Sequence, residues 1–444
     1  MGSLLRNARY RNLFIAQVVA LLGTGVATVA LGLLAYDLAG PRASAVLGAA
    51  LAVKMAAYVL VAPLVGAVAD RVPRRRLMAG ADLVRAAVVL TLPWVTQVWQ
   101  VFVLIAVLQA ASATFTPVFQ SVLPDLLPDE GDYARALSAS QVAMSAEAVL
   151  SPLLAAAALL VLAPSALFGW TSAGFLASAA LVAATAVPAV RRTAHGGFGA
   201  RLAVGMRLFR ATPQLRALLA LNLVVATAGA ISLVTTVNVV RDLLGGDDGD
   251  VGLLLAVTGA GAGAAALCAP RLARRAGDRV VMLAGAGIAV AGTLAALGVA
   301  AAPSWPAATV AWALIGFGPG WIGVTTGRVL RRCCAPAQRP ALFAAQFSLS
   351  HACWLLTYPL TGWLAAGAGF GAAWTTLAVL AAAATLVAAR AWPALGGDHV
   401  RHRHGPDTPD GHLSGPGLRP AARGWTHAHA VVVDREHPHG PVPV

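Results

Sequence analysis

The sequence predicts an all-α, polytopic membrane protein with twelve transmembrane helices in two pseudo-symmetric six-helix bundles, and three observations predict it. The 444 residues are 58% hydrophobic and only 11% charged, with a mean hydropathy of +0.74, a composition that no water-soluble domain sustains. Apolar stretches of about twenty residues, the length that crosses a bilayer as a helix, recur about twelve times along the chain. Arginine gathers in every second connection between those stretches, as the positive-inside rule requires. The net charge of +14 therefore orients the chain and meets anionic lipid, and it does not imply nucleic acid. Cys268, Cys333, Cys334 and Cys353 lie in or beside apolar segments without a pairing pattern, so no disulfide framework is indicated.

Arg6, Arg9 and Arg11 lead straight into span one, 12–39, which is too long for the core of a cleavable signal. Span two, 45–69, carries Lys54, the only lysine among the 32 Lys and Arg residues. It lies about nine residues in, roughly 14 Å deep at ~1.5 Å per residue. That is too deep for easy snorkelling, so its charge must pair, face water or be lost. The connection Gly66–Arg76 reads GAVADRVPRRR. Its Asp70 can pair with an arginine or a helix N-terminus, and Gly66 permits close approach. Span three, 77–95, holds Asp82 and Arg85 one turn apart, expected as a structural pair beside the basic connection. Span four, 99–123, contains Gln109-Ala110. Span five, 134–162, places Glu147 at a depth comparable to that of Lys54, counted from the other face. Ser151-Pro152 follows, beside small Ala155 and Ala156; the helix hydrogen bond lost at proline predicts a bend or hinge there. Span six, 166–190, completes the first half.

The longest internal connection, about 191–213, is basic and Gly-containing. It separates a bundle at 1–190 from a second at 214–395, with spans at 214–240, 251–270, 279–301, 304–328, 339–366 and 370–394. One set of connections holds Arg71 to Arg76, Arg135, Arg191 to Arg216, Arg271 to Arg279 and Arg328 to Arg339. The opposite set holds only Arg42 and Arg241, the latter diluted by Asp242, Asp247, Asp248 and Asp250. An even number of crossings then places both termini in the cytoplasm. A faint repeat supports two halves: Ala136-Leu137-x-Ala139-x-Gln141-x3-Ser145 returns as Ala341-Leu342-x-Ala344-x-Gln346-x3-Ser350, an offset of 205. At that offset Arg275 stands where the first half has Asp70. Gly316, Gly318, Pro319, Gly320 and Gly323 make span ten breakable, which suits a gate or simple close packing. Span eleven carries His351 at mid-depth.

Beyond Leu395 the apolar pattern stops, and residues 396–444 read as a disordered His- and Arg-rich cytoplasmic tail. His402/His404 and His427/His429 are His-x-His pairs, which project to one face of an extended chain so that two imidazoles can grip one ion. With His437, His439 and nearby carboxylates they are candidate ligands for nickel, zinc, cobalt or copper(II). A basic tail lying on anionic lipid is the plainer alternative.

Gly66-x3-Asp70-Arg71-x2-Arg74-Arg75 resembles the loop signature of the major facilitator superfamily, and the span pattern resembles it over about residues 5–395. The resemblance implies that this loop is a cytoplasmic gating latch between the two halves. It implies a central cavity flanked by spans two, five, eight and eleven, which makes Lys54, Glu147 and His351 candidates for transport and coupling. Ser151-Pro152 stands where drug/proton antiporters of the superfamily carry G-x-x-x-G-P-x-x-G-G, with Glu147 at the first glycine. Gln109-Ala110 resembles the end of the antiporter pattern L-x-x-x-R-x-x-Q-G, but Ala106 replaces the arginine. Four stretches resemble bacterial exporters of the nickel-resistance type: Ala50-Leu51-Ala52-Val53-Lys54-Met55-Ala56-Ala57-Tyr58, Phe119-Gln120-x3-Pro124-Asp125-x2-Pro128-Asp129, Glu147-x3-Ser151-Pro152, and His427-x-His429 through His437-Pro438.

The expectation is a monomeric secondary transporter of a bacterial inner membrane, working as a proton-linked exporter without a cofactor. The leading cargo is a divalent transition metal such as nickel. A hydrophobic organic compound (a drug, macrolide or siderophore) is the second candidate, and a non-transporting metal sensor the third. No G-x-x-x-x-G-K-[ST] loop occurs, which excludes internal ATP hydrolysis. No nucleophile–base constellation in the spans points to an enzyme.

Overall fold

The computed structural model describes residues 4, 6–69, 72–127, 129–187, 198–334, 338–392, 399–404, 419–421 and 424–430. Long helices follow the apolar stretches. In the first half these are α1 (Ala8–Ala39), α2 (Ala43–Ala69), α3 (Arg74–Thr91), α4 (Val98–Leu126), α5 (Glu130–Leu159) and α6 (Pro164–Ala183). In the second half they are α7 (Pro213–Ala230, continuing in π and α turns to Leu243), α8 (Asp248–Ala276), α9 (Asp278–Ala301) and α10 (Trp305–Arg332). The helical run Arg339–Ala391 is broken at Gly369, whose φ of 83° no other residue type adopts cheaply. That break divides it into α11 (339–368) and α12 (370–391), which gives the twelve expected spans.

The helix ends are written in local chemistry. Asn7 caps α1 through the backbone N–H groups of Arg9 and Tyr10, and Asp129 caps α5 through that of Asp132. Asp247 and Asp250 form a reciprocal capping box on α8, which ends in Arg274 and Arg275 against the negative pole of its dipole. Pro164 opens α6, where a missing N–H costs nothing.

Each half centres on an apolar core, and residues of the other half join it: Val29, Leu33 and Ala155 that of the second, and Ala230, Val234 and Tyr358 that of the first. Ala20, Leu31, Leu47, Leu51, Ile105 and Phe175 belong to one in the first half, and Leu221, Ile231, Trp312, Ile315, Trp374 and Leu377 to that of the second. The connection at 191–213 is partly structured: Phe198–Ala211 is a helix whose Leu208 and Phe209 are buried, and its Gly205 rests on the Ala341 carbonyl of α11. Large apolar side chains such as Leu160, Val161, Leu267 and Val379 stay exposed on the outside, where lipid tails replace a partner.

The two bundles meet through α2 on α11 and α5 on α8. At the sequence offset of the repeat α5 corresponds to α11 and α2 to α8, so these two interfaces are symmetry mates. Cross-bundle hydrogen bonds among the described residues gather at the end that carries the Arg-poor connections. Ser44 bonds Asn238 at 2.7 Å, Asn238 donates to the carbonyls of Gly40 and Pro41, and Tyr36 donates to Asp242 at 2.5 Å. Backbones touch there as well, since a Cβ on Gly48 would stand 2.5 Å from the Tyr358 carbonyl oxygen and one on Gly362 2.3 Å from that of Ser44.

Two glycines of α10 sit in close packing: a Cβ on Gly316 would be 1.9 Å from the Thr258 carbonyl oxygen, and one on Gly318 2.5 Å from the Ala289 nitrogen, whereas one on Gly323 would meet nothing within 4 Å. In the tail, three short segments are among the described residues. Residues His399–His404 (β1), Arg419–Ala421 (β2) and Gly424–Ala430 (β3) form a three-stranded antiparallel sheet in the order β1-β3-β2. Alternating His-Val-Arg-His-Arg-His and Trp-Thr-His-Ala-His runs have the period of a strand, which composition alone conceals.

Candidate functional site

Lys54, midway along α2, is partly buried and lies on the bundle interface with Tyr58 one turn further along. Tyr58 meets α11 of the other bundle, with its ring 5.5 Å from that of His351 and 6.1 Å from that of Phe347. His351 Nδ1 bonds the Phe347 carbonyl oxygen at 2.7 Å, which fixes the imidazole against the Phe347 ring at a centroid distance of 3.9 Å. Trp354 and Tyr358, their rings 4.9 Å apart, continue this aromatic wall toward the closed end.

Glu147 on α5 is partly buried and hydrogen-bonded by Ser151 one turn on. Gly25 of α1 leaves room for both: a Cβ there would be 2.3 Å from Glu147 Oε1 and 2.2 Å from Ser151 Oγ. Lys54 interacts electrostatically with both of the other candidates, Glu147 and His351. Among the described residues no ion pair joins Lys54 to Glu147. Two charges at this depth, coupled and not locked together, can each change partner.

The remaining candidates fall elsewhere. Asp70 and Arg71 lie outside the described residues, as do the side chain of Pro152 and the surroundings of Gly66. Arg74 pairs with Asp125 of α4 at 2.5 Å, a contact inside the first bundle, and Arg75 is exposed. The helix α5 runs without interruption through Ser151 and residue 152. Asp82 and Arg85 form the expected buried pair. Ser178 donates to Asp82 at 2.6 Å, and the guanidinium lies over the rings of Phe115 and Phe175 at 5.0 and 4.5 Å.

His437 and His439 lie outside the described residues. The register of the tail sheet sets His402 opposite His427 and Val400 opposite His429, so His402, His404, His427 and His429 occupy positions on one face. Among the described residues no cluster of three or more His, Cys, Asp or Glu side chains suited to a metal occurs.

Tyr58, Phe347, Asn238 and Asp242 are not among the candidate site residues of the sequence. Tyr58 and Phe347 carried a findable signal, being one turn from Lys54 and His351 on the same helical faces. The pairing of Ser44 with Asn238 had none, because it joins residues of opposite halves.

The model of the Major Facilitator Superfamily matches residues 13–243 and 218–433. The chain is 32% identical over 104 residues to Macrolide efflux protein A of Enterococcus faecalis, 22% of this chain and 32% of that protein. It is 26% identical over 124 residues to the uncharacterized MFS-type transporter YfiS of Bacillus subtilis (strain 168), 28% of this chain and 30% of that protein. These alignments span about a third of the curated relatives. Among solved structures, a mutant of the nucleoside transporter NupG superposes with a TM-score of 0.68 at 14% identity, over 86% of this chain and 99% of that one. A bacterial homolog of the lysosomal transporter Spinster, inward-facing and unoccupied, gives 0.65 at 14% identity over 87% and 99%. At such identity these two likenesses show the fold.

Proposed function

The chain belongs to the Major Facilitator Superfamily of membrane transporters, and on that premise we propose that it exports a hydrophobic organic compound by alternating access, driven by protons through Glu147. The observation that carries this is the mid-membrane grouping of Lys54 and Glu147 beside the aromatic wall of Tyr58, Phe347, His351 and Trp354. Aromatic and apolar walls with few polar groups suit an organic molecule. A divalent transition metal asks for several nitrogen, sulfur or carboxylate ligands converging on one point. The partial identity to macrolide efflux proteins points the same way.

In this cycle the bundles, closed at the Arg-poor end, admit cargo from the Arg-rich side. Cargo entering between the bundles draws on Glu147, the carboxylate that interacts with Lys54. Its displacement of Lys54, and later the arrival of a proton on Glu147 from the far side, bias the two bundles toward opposite openings. A nickel or cobalt cargo is the second candidate. It is supported by the four histidine positions on one face of the tail sheet, with the tail capturing the ion.

Reconstitution into lipid vesicles with a macrolide and, separately, nickel and cobalt, with and without an imposed proton gradient, tests this. Gradient-dependent macrolide movement that Glu147→Gln abolishes is the expected outcome. Movement of the metals alone would replace the organic cargo with the second candidate, and macrolide movement unaffected by Glu147→Gln would remove Glu147 from the coupling.

A further inference from the structure

A small cavity lies inside the first bundle between α1, α2, α4 and α6, on the side of Lys54 away from the second bundle. Lys54 lines it together with Thr24, Thr28, Gln109, Leu108 and Phe175. Gln109 is 5% exposed, and its Oε1 is buried without a hydrogen-bond partner among the described residues. Leaving such an acceptor unmet carries a desolvation penalty that an arriving donor relieves. The two threonine hydroxyls spend their protons on backbone carbonyls one turn back, Thr24 on Ala20 at 2.8 Å and Thr28 on Thr24 at 2.9 Å. What both hydroxyls still offer is lone pairs. The cavity is therefore a cluster of acceptor oxygens in an otherwise apolar wall, the complement of an ammonium group with three donors. Lys54 is the one cation among its lining residues, and the leucine and isoleucine side chains around it suit a lysine's methylene stem.

We propose that Gln109, with Thr24 and Thr28, forms a second berth for the Lys54 ammonium, occupied when Glu147 is neutral or engaged by cargo. Lys54 then has two stations on opposite sides, an anionic one at Glu147 and a neutral one at Gln109, and passes between them by side-chain rotation. This rests on the reading of Glu147 as the group that gains and loses charge during transport. It adds a reason why that change does not strand an unpaired cation in the membrane. Gln109 is a positioning residue here, since it acts on cargo and proton only through Lys54.

The single lysine makes the test direct. Full-length protein labelled with 13Cε/15Nζ-lysine in lipid nanodiscs gives one side-chain amine signal. Glu147→Gln is expected to shift that signal to a new position, and Gln109→Leu added to it is expected to move the signal again, to a third position. A double variant whose signal coincides with that of Glu147→Gln alone would overturn the second berth. Gln109→Glu keeps the polar volume and covers the case of a poorly folding leucine variant. It is expected to hold Lys54 at the second station even with Glu147 intact, and an unmoved signal there would also overturn the proposal. Vesicle transport separates the two claims. Loss of the predicted lysine shifts with gradient-driven efflux intact sinks the berth alone. Intact shifts without any gradient-driven efflux leave the berth standing and sink the transport cycle.

Discussion

Asp82 is fully buried, and its carboxylate holds both Arg85 and Ser178. The guanidinium it neutralises sits between two phenylalanine rings, and its Nε has no hydrogen-bond partner among the described residues. Asp82→Ala is therefore expected to cost about 3–5 kcal/mol, the penalty for leaving one member of a buried pair alone. Thermal unfolding in detergent would measure it, and the further change Arg85→Leu should recover much of the loss. A single variant as stable as the parent would mean that Arg85 finds another anion or water. This pair was legible in the sequence, because charges at i and i+3 inside an apolar span have little else to do. Lys54, Glu147 and His351 stand out in the sequence by their depth, and the family resemblance adds the cavity. Gln109 was visible only as the end of a motif. Its unmet acceptor depends on three helices converging, which no local pattern records.

At the scale of elements, the two halves solve one problem with opposite charge placement. Arg74 at the start of α3 reaches Asp125 at the end of α4. Asp278 at the start of α9 takes Arg328 and Arg332 from the end of α10, at 3.2 and 2.9 Å. Aligning Asp70 with Arg275 concealed this, since the acid of the second half stands three residues later and its bases on another helix. The interface between halves relies instead on close backbone approach. Because α2 and α11 touch at Gly48 and Gly362, a side chain at either position separates them. Gly362→Val should open the Arg-poor end and populate the opposite-facing state. Spin labels placed near residues 44 and 358 should then lie farther apart, and transport should fall while the fold persists. An unchanged distance distribution would show that the helices accommodate the bulk by sliding. The π turns at Ile231–Thr235 and Val239–Leu243 flank Thr236–Asn238. They rotate α7 so that Asn238 meets Ser44 and Asp242 meets Tyr36, a wider turn that 3.6-residue periodicity does not anticipate.

For the whole molecule, charge and aromatic placement agree on an orientation. Exposed Trp94, Trp99, Trp170, Trp305 and Trp363 all belong to the ends of helices that meet at the Arg-poor connections, where indole rings anchor at the headgroup level. Arginine crowds the other end. These two signals predict that the Arg-rich connections, and with twelve crossings both termini, lie in the cytoplasm. The end where Ser44 meets Asn238 and Tyr36 meets Asp242 is then expected to face outward. Single-cysteine labelling of intact cells checks this once the four native cysteines are replaced by serine or alanine. A cysteine at Arg42 should react with a membrane-impermeant maleimide from outside, and one at Arg75 only after permeabilisation. If the pattern came out reversed, the end closed by the Ser44–Asn238 and Tyr36–Asp242 contacts would face the cytoplasm, and the admission of cargo from the Arg-rich side would no longer serve efflux.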